Sequence, residues 1–140
     1  MKRRSFVVTL AVLAMLVTAS AVQAAQPSTP FSGTWVGTDT LDGSIVHMVV
    51  QGGTNARIAF DDEFGTACAD IGATDFWFSA SLHGTVVGAT MTGAFKSAKC
   101  GHTSLAFMRK QPMVWTLDDH GTANPADDTL SDGVDAWSRV

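Results

Sequence analysis

Apolar and polar residues alternate in short runs along most of the chain, and Gly, Asp and Asn break the runs. Ala56, Ile58 and Phe60 alternate with Arg57, Ala59 and Asp61. Phe76, Phe78, Ala80 and Leu82 alternate with Trp77, Ser79, Ser81 and His83. A period of two puts alternate side chains on opposite faces of a strand. After Gly33 no window of about 12 residues repeats every 3.6, so no amphipathic helix is expected. The runs predict strands over 34–38, 44–51, 56–61, 75–83, 85–95, 102–109, 113–117 and 134–139. Between them Asp42-Gly43, Gly52-Gly53-Thr54-Asn55, His83-Gly84 and Ser131-Asp132-Gly133 read as turns, where Gly supplies positive φ. Segments 65–74 and 96–101 read as loops. Glycines 88 and 93 inside a strand pattern suggest a sheet that curls.

About eight short strands joined by tight turns predict an all-β domain, a small antiparallel up-and-down β-barrel. Closure hides strand edges. A β-sandwich is the alternative, because second faces are also apolar in places: Ile45 and Val49, Val87 and Met91.

The N-terminus departs from this pattern. Lys2, Arg3 and Arg4 precede an apolar run from Phe6 to Val17, and Val22-Gln23-Ala24 supplies a signal-peptidase site. Residues 1–24 are therefore expected to be a cleaved signal peptide, 25–32 a tether carrying Pro27 and Pro30, and 33–140 one barrel domain. The apolar run is about 12 residues, short of the roughly 20 needed to span a bilayer. No membrane anchor is expected. The protein is expected in the periplasm or outside the cell.

Composition then sharpens. The 140 residues carry a formal charge of −4. Cleavage after Ala24 would leave 116 residues with six of the nine basic and all 13 acidic residues, and a charge of −7. An acidic domain is a poor nucleic-acid ligand, since phosphate neutralisation dominates that affinity. It is also disfavoured at anionic membrane surfaces. The length excludes a TIM barrel, a kinase or a two-domain dehydrogenase.

The only cysteines are Cys68 and Cys100. Outside the cytosol an even count points to a disulfide. The competing reading, a metal site at Cys100-Gly101-His102, lacks the second ligand pair that tetrahedral zinc wants.

Gly33-Thr34-Trp35 opens the first strand, and Arg139 stands one residue from the end. In this the chain resembles the lipocalin and avidin superfamily of up-and-down barrels. The resemblance implies that Arg139 packs over Trp35 and closes one end of the barrel; such a stack contributes about 0.5–2 kcal/mol. The chain is also similar to a group of small secreted bacterial proteins with a Gly-Thr-Trp opening, an Asp-Gly-Ser turn (Asp42-Gly43-Ser44) and a terminal Trp-x-Arg (Trp137-Ser138-Arg139). That likeness implies no activity.

Candidate chemistry is sparse. Ser44, His47 and Asp42 form a triad only on paper, since neighbours on one hairpin alternate faces. No Gly-x-Ser-x-Gly elbow is present. Glu63 is the only Glu, and no carboxylate pair across a cleft is suggested. Asp39 and Asp42 flank one turn; Asp127, Asp128, Asp132 and Asp135 flank another. These read as solvated turn acids, with low-affinity calcium binding at Asp127, Asp128 and Asp132 as the alternative. Trp77, Trp115 and Met91 are either core or the wall of a small cup, since an eight-strand barrel can fill itself or hold one ligand. The expected function is a secreted, non-catalytic binding or interaction protein without a cofactor, a monomer or small homo-oligomer. Its partner would be a small apolar ligand or another secreted protein. An extracytoplasmic hydrolase or isomerase, or a structural or stress protein, is the alternative.

Overall fold

The computed structural model describes residues 29–140. The expected signal peptide, and the tether before Thr29, lie outside the described residues. The chain forms β1 (Gly33–Thr38), β2 (Ile45–Gly52), β3 (Asn55–Asp62), α1 (Thr66–Asp70), β4 (Phe78–Val87) and β5 (Thr90–Cys100). Then come β6 (Thr103–Ser104), a 3-10 helix (Ala106–Lys110), β7 (Pro112–Asp118), β8 (Thr129–Ser131) and β9 (Ala136–Arg139). All pairings are antiparallel. Eight strands follow one another around a ring, and β1 pairs with β9 through Trp35↔Arg139 and Gly37↔Trp137. The short β6 pairs only with the end of β5. The fold is a closed up-and-down β-barrel, and the sandwich alternative falls because one continuous sheet meets itself.

Alternation decides what is inside. Val46, Met48 and Val50 of β2, Ala56, Ile58 and Phe60 of β3, and Phe78, Ala80, Leu82 and Val86 of β4 all face the core. Three tryptophans, Trp35, Trp115 and Trp137, are at most 1% exposed and fill the barrel axis with Met48, Met91 and Leu130. Glycines make room for them. A methyl group at Gly93 would lie 2.8 Å from Trp115, and one at Gly37 would lie 2.5 Å from Trp137. The light positions on β1 and β5 thus accommodate indole rings.

Several boundaries differ from the sequence pattern. Gly84 is no turn: β4 runs through it to Val87, and the chain reverses at Gly88, whose φ is +58°. Pairing Ala56↔Gly84 packs Gly84 against Ile58 and Ala56, and this ladder outweighs the local His-Gly turn signal. β5 likewise continues through the expected loop at 96–101. It does so with a bulge: Leu82 faces Phe95 and Ser81 faces Ser97, leaving Lys96 as the extra residue. β4 begins at Phe78, so Phe76 and Trp77 precede it. Segment 65–74 contains α1. The expected strand 102–109 is instead the two-residue β6 and the 3-10 helix, because Gly101, at φ +53°, turns the chain back. The eighth barrel strand is β8, a short segment unassigned in the sequence pattern.

The barrel has two different ends. At the closed end, Phe31 is fully buried and its carbonyl accepts a 2.9 Å bond from Trp35 Nε1. Arg139 covers Trp35, 4.2 Å from a ring centroid, and pairs with the buried Asp128 at 2.9 Å. The other end carries the loops 39–44, 63–77, 101–111 and 132–135.

Candidate functional site

That second end is open. Strand alternation turns Phe60 of β3, Phe78 of β4 and Phe95 of β5 inward, and the three meet at one hollow. The 3-10 helix adds Met108, and β7 adds Met113. Together they line a hollow of about 150 Å³ whose rim holds Asp39 and Asp62. Phe60 and Phe78 meet edge to face, with centroids 6.1 Å apart.

A covalent link fixes one wall. Cys68 of α1 and Cys100 at the end of β5 form a disulfide with Cα atoms 5.5 Å apart, within the usual range. Both cysteines are buried. Gly65, ahead of the helix, packs directly on Phe78, where a Cβ would collide. The helix is thereby held against the mouth of the barrel.

The rim carboxylates are held by the chain itself. Asp62 is 6% exposed, and its Oδ1 accepts bonds from Ser44 Oγ at 2.7 Å and the Phe64 amide at 3.0 Å. Asp39 Oδ1 accepts the Leu41 amide at 2.7 Å. Partial burial pushes the Asp39 carboxyl above its ordinary range; the Leu41 bond opposes this, and the neighbouring Asp42, Asp135 and Asp62 charges add to it. Asp135 Oδ1 in turn accepts both the amide and the hydroxyl of Thr40, at 2.9 and 2.8 Å.

The loops at this end of the barrel are apolar. Of ten large hydrophobic residues left exposed among the described residues, seven lie on loops of the open end: Leu41, Phe64, Ile71, Phe76, Trp77, Phe107 and Val134. Phe64 and Phe76 stack at 4.7 Å. Scattered exposed hydrophobics need no explanation, but a concentration at one end does.

The residues singled out from the sequence are distributed as follows. Met91 and Trp115 are cross-strand partners, both fully buried in the packed interior. Trp77 stands apart from them, 47% exposed just ahead of β4. The three therefore do not line one cup. The indole N–H groups of Trp115 and Trp137 are buried without a hydrogen-bond partner. Asp127 and Asp128 lie at the closed end, where Thr122 Oγ1 donates to Asp127 and Arg139 holds Asp128. Asp132 lies at the open end and accepts the amides of Val134 and Asp135. The length of β8 separates them, and among the described residues no group of three acidic, His or Cys side chains could hold a metal ion. Ser44 Oγ donates a hydrogen bond to Asp62 Oδ1, while His47 is exposed on the outer face of β2, so the paper triad is not assembled.

Phe60 and Phe78 were inward on alternation alone. Asp39 reads from the sequence only as a solvated turn acid, and nothing local marks Phe95, Met108, Met113 or Asp62, since only the strand register shows which residues line the same hollow. Among the described residues no helix is long and apolar enough to cross a membrane. Comparison of the chain with family models, with curated proteins and with solved structures returns no match.

Proposed function

We propose that this is a non-catalytic binding protein, working outside the cytoplasm after loss of residues 1–24, that takes an apolar group into the open end of its barrel. The observation that carries the reading is the gathering of exposed apolar side chains on the loops of the barrel end that holds the hollow of Phe60, Phe78, Phe95, Met108 and Met113. Size limits the ligand. At about 150 Å³ the hollow is smaller than the roughly 300–1,000 Å³ typical of sites that enclose a drug-sized molecule. It suits the end of an alkyl chain. Asp39 and Asp62 on the rim favour a head group that donates hydrogen bonds or carries positive charge over an anionic one. The disulfide and the basic, apolar N-terminus support export.

Methionine methyl NMR tests this. Hexylammonium, hexanol and hexanoate are titrated into the exported domain with labelled methionine methyl groups. Met108 and Met113 should shift and saturate, in the order hexylammonium, hexanol, hexanoate. Met48 and Met91, in the packed interior, should stay in place. Unmoved Met108 and Met113 signals at millimolar ligand would sink the proposal.

A further inference from the structure

Two basic residues of this acidic domain, Arg57 and Lys96, share one face of the barrel. Of six in residues 25–140, Arg139 is consumed at the closed end. Arg57 of β3 and Lys96 of β5 lie on the outer face of the barrel, with His83 of β4 between their strands. Arg57 and His83 are direct cross-strand partners. The β5 bulge presents Lys96 beside Ser81 and Leu82, one step along β4 from His83. All three are exposed. Neither Arg57 nor Lys96 joins an ion pair: those among the described residues are Arg139 with Asp128 and His120 with Asp118.

The surface between them is concave. Two adjoining hollows, of about 300 and 420 Å³, share Gln51, Arg57 and His83. The first is completed by Lys96 and floored by the small residues Ala59 and Ser81. The second adds the amide of Asn55 and the hydroxyl of Thr85. No carboxylate lines either one. The nearest acid along β3 is Asp61, four residues from Arg57 and opposite His47 and Ser79. On a chain with 13 acidic residues, a concave face holding two unpaired cations and no acid is a site of opposite sign to its surroundings.

We propose that this outer face binds a small oxyanion, a phosphate or sulfate group, between Arg57 and Lys96. The Arg57 guanidinium supplies a planar fork of donors that matches two oxygens of such a group. Lys96 supplies a compact charge from the opposite side. Gln51, Asn55 and Thr85 offer hydrogen bonds to whatever the oxyanion is attached to. The site faces away from the barrel interior, so it does not depend on the apolar hollow at the open end.

Amide NMR of the exported domain, titrated separately with inorganic phosphate and inorganic sulfate at constant ionic strength, tests the site. Shifts should saturate and centre on the amides of residues 57, 83 and 96. Stronger binding of phosphate or of sulfate identifies the preferred group. Arg57→Gln should weaken binding about tenfold, the effect of removing one charge-assisted contact. Lys96→Gln should weaken it as well, and provides the same test if Arg57→Gln fails to fold. Lys99→Gln, on the same strand but outside both hollows, should leave the affinity within about twofold. Three results overturn the proposal: shifts that grow linearly without saturation, shifts reproduced by chloride at equal ionic strength, or an affinity that neither Arg57→Gln nor Lys96→Gln changes.

Discussion

Arg139 stands over Trp35, its guanidinium carbon 4.2 Å from a ring centroid, and ties the last strand of the barrel to the first. The same side chain donates to the carbonyls of Ser32 at 2.6 Å and Pro125 at 2.7 Å, to the carbonyl of Pro30, and to Asp128. One residue thus joins the incoming chain, the 119–128 loop and the seam between β1 and β9. Asp128 is 6% exposed, so its charge has little access to water once the partner is gone.

Removing Arg139 therefore leaves a buried carboxylate and several carbonyls without a donor. Arg139→Ala should destabilise the domain by about 3–5 kcal/mol, the range for breaking a buried pair from one side. Arg139→Lys keeps the charge but loses the fork, and should fall between the two. Urea unfolding at pH 7 reads both; equal stability of wild type and Arg139→Ala would contradict the account of the seam.

Gly93 and Trp115 offer a test of packing. The ring occupies the space a side chain at residue 93 would need, with 2.8 Å to the nearest ring atom. Gly93→Ala should cost about 1–3 kcal/mol through overpacking. In the double variant Gly93→Ala, Trp115→Phe the smaller ring vacates part of that space. The combined loss should be less than the sum of the two single losses, as expected for residues in contact. Strict additivity in thermal unfolding would show that the clash is absorbed elsewhere.

Much of this barrel was legible in the residues, and the parts that were not share a cause. Strands such as β3 carry a period of two with a charge on every second outward position, Arg57 and Asp61, so Ala56, Ile58 and Phe60 declare their face locally. The turn at Gly88, the continuation of β5 to Cys100 and the presence of β8 depend on partners distant in sequence. Gly84 looks like a turn residue until Ala56 is placed opposite it. Lys96 looks like a loop residue until the bulge against Ser81 and Leu82 is seen. The open-end site was harder still. Phe60, Phe78 and Phe95 come from three strands of opposite direction, and no local pattern says that they end at one mouth. Trp77 and Trp115 drew attention as aromatic residues, but one lies outside the barrel and the other is sealed within it.

The disulfide should govern the open end more than the ring of strands. Cys68 and Cys100 close a separation of 32 residues, which the chain-entropy model values at about 3–4 kcal/mol. The double variant Cys68→Ser, Cys100→Ser should lose about that much in urea unfolding. Amide exchange should quicken first in α1 and at the end of β5, while β1, β2 and β9 keep their protection. Uniform acceleration around the barrel would mean that the link supports the whole fold instead.

Asp39 gives the open end a pH dependence of definite sign. Partial burial raises its folded-state pKa above the ordinary 3.8, and the carboxylates of Asp42, Asp135 and Asp62 add to the effect. The folded protein therefore holds this proton more tightly than the unfolded chain does. The contribution is fully present below about pH 3.8 and is lost as pH rises through the higher folded value. At pH 7 the ionised Asp39 is a net liability. Asp39→Asn keeps an oxygen that can accept the Leu41 amide but removes the charge. It should raise the melting temperature at pH 7 and leave it unchanged at pH 3, where the wild-type carboxyl is already neutral. The gain should be small, since most of the group is exposed and water screens its neighbours. A variant that is destabilised at pH 7, or stabilised equally at both pH values, would show that the charge of Asp39 is not what the surrounding acids resist.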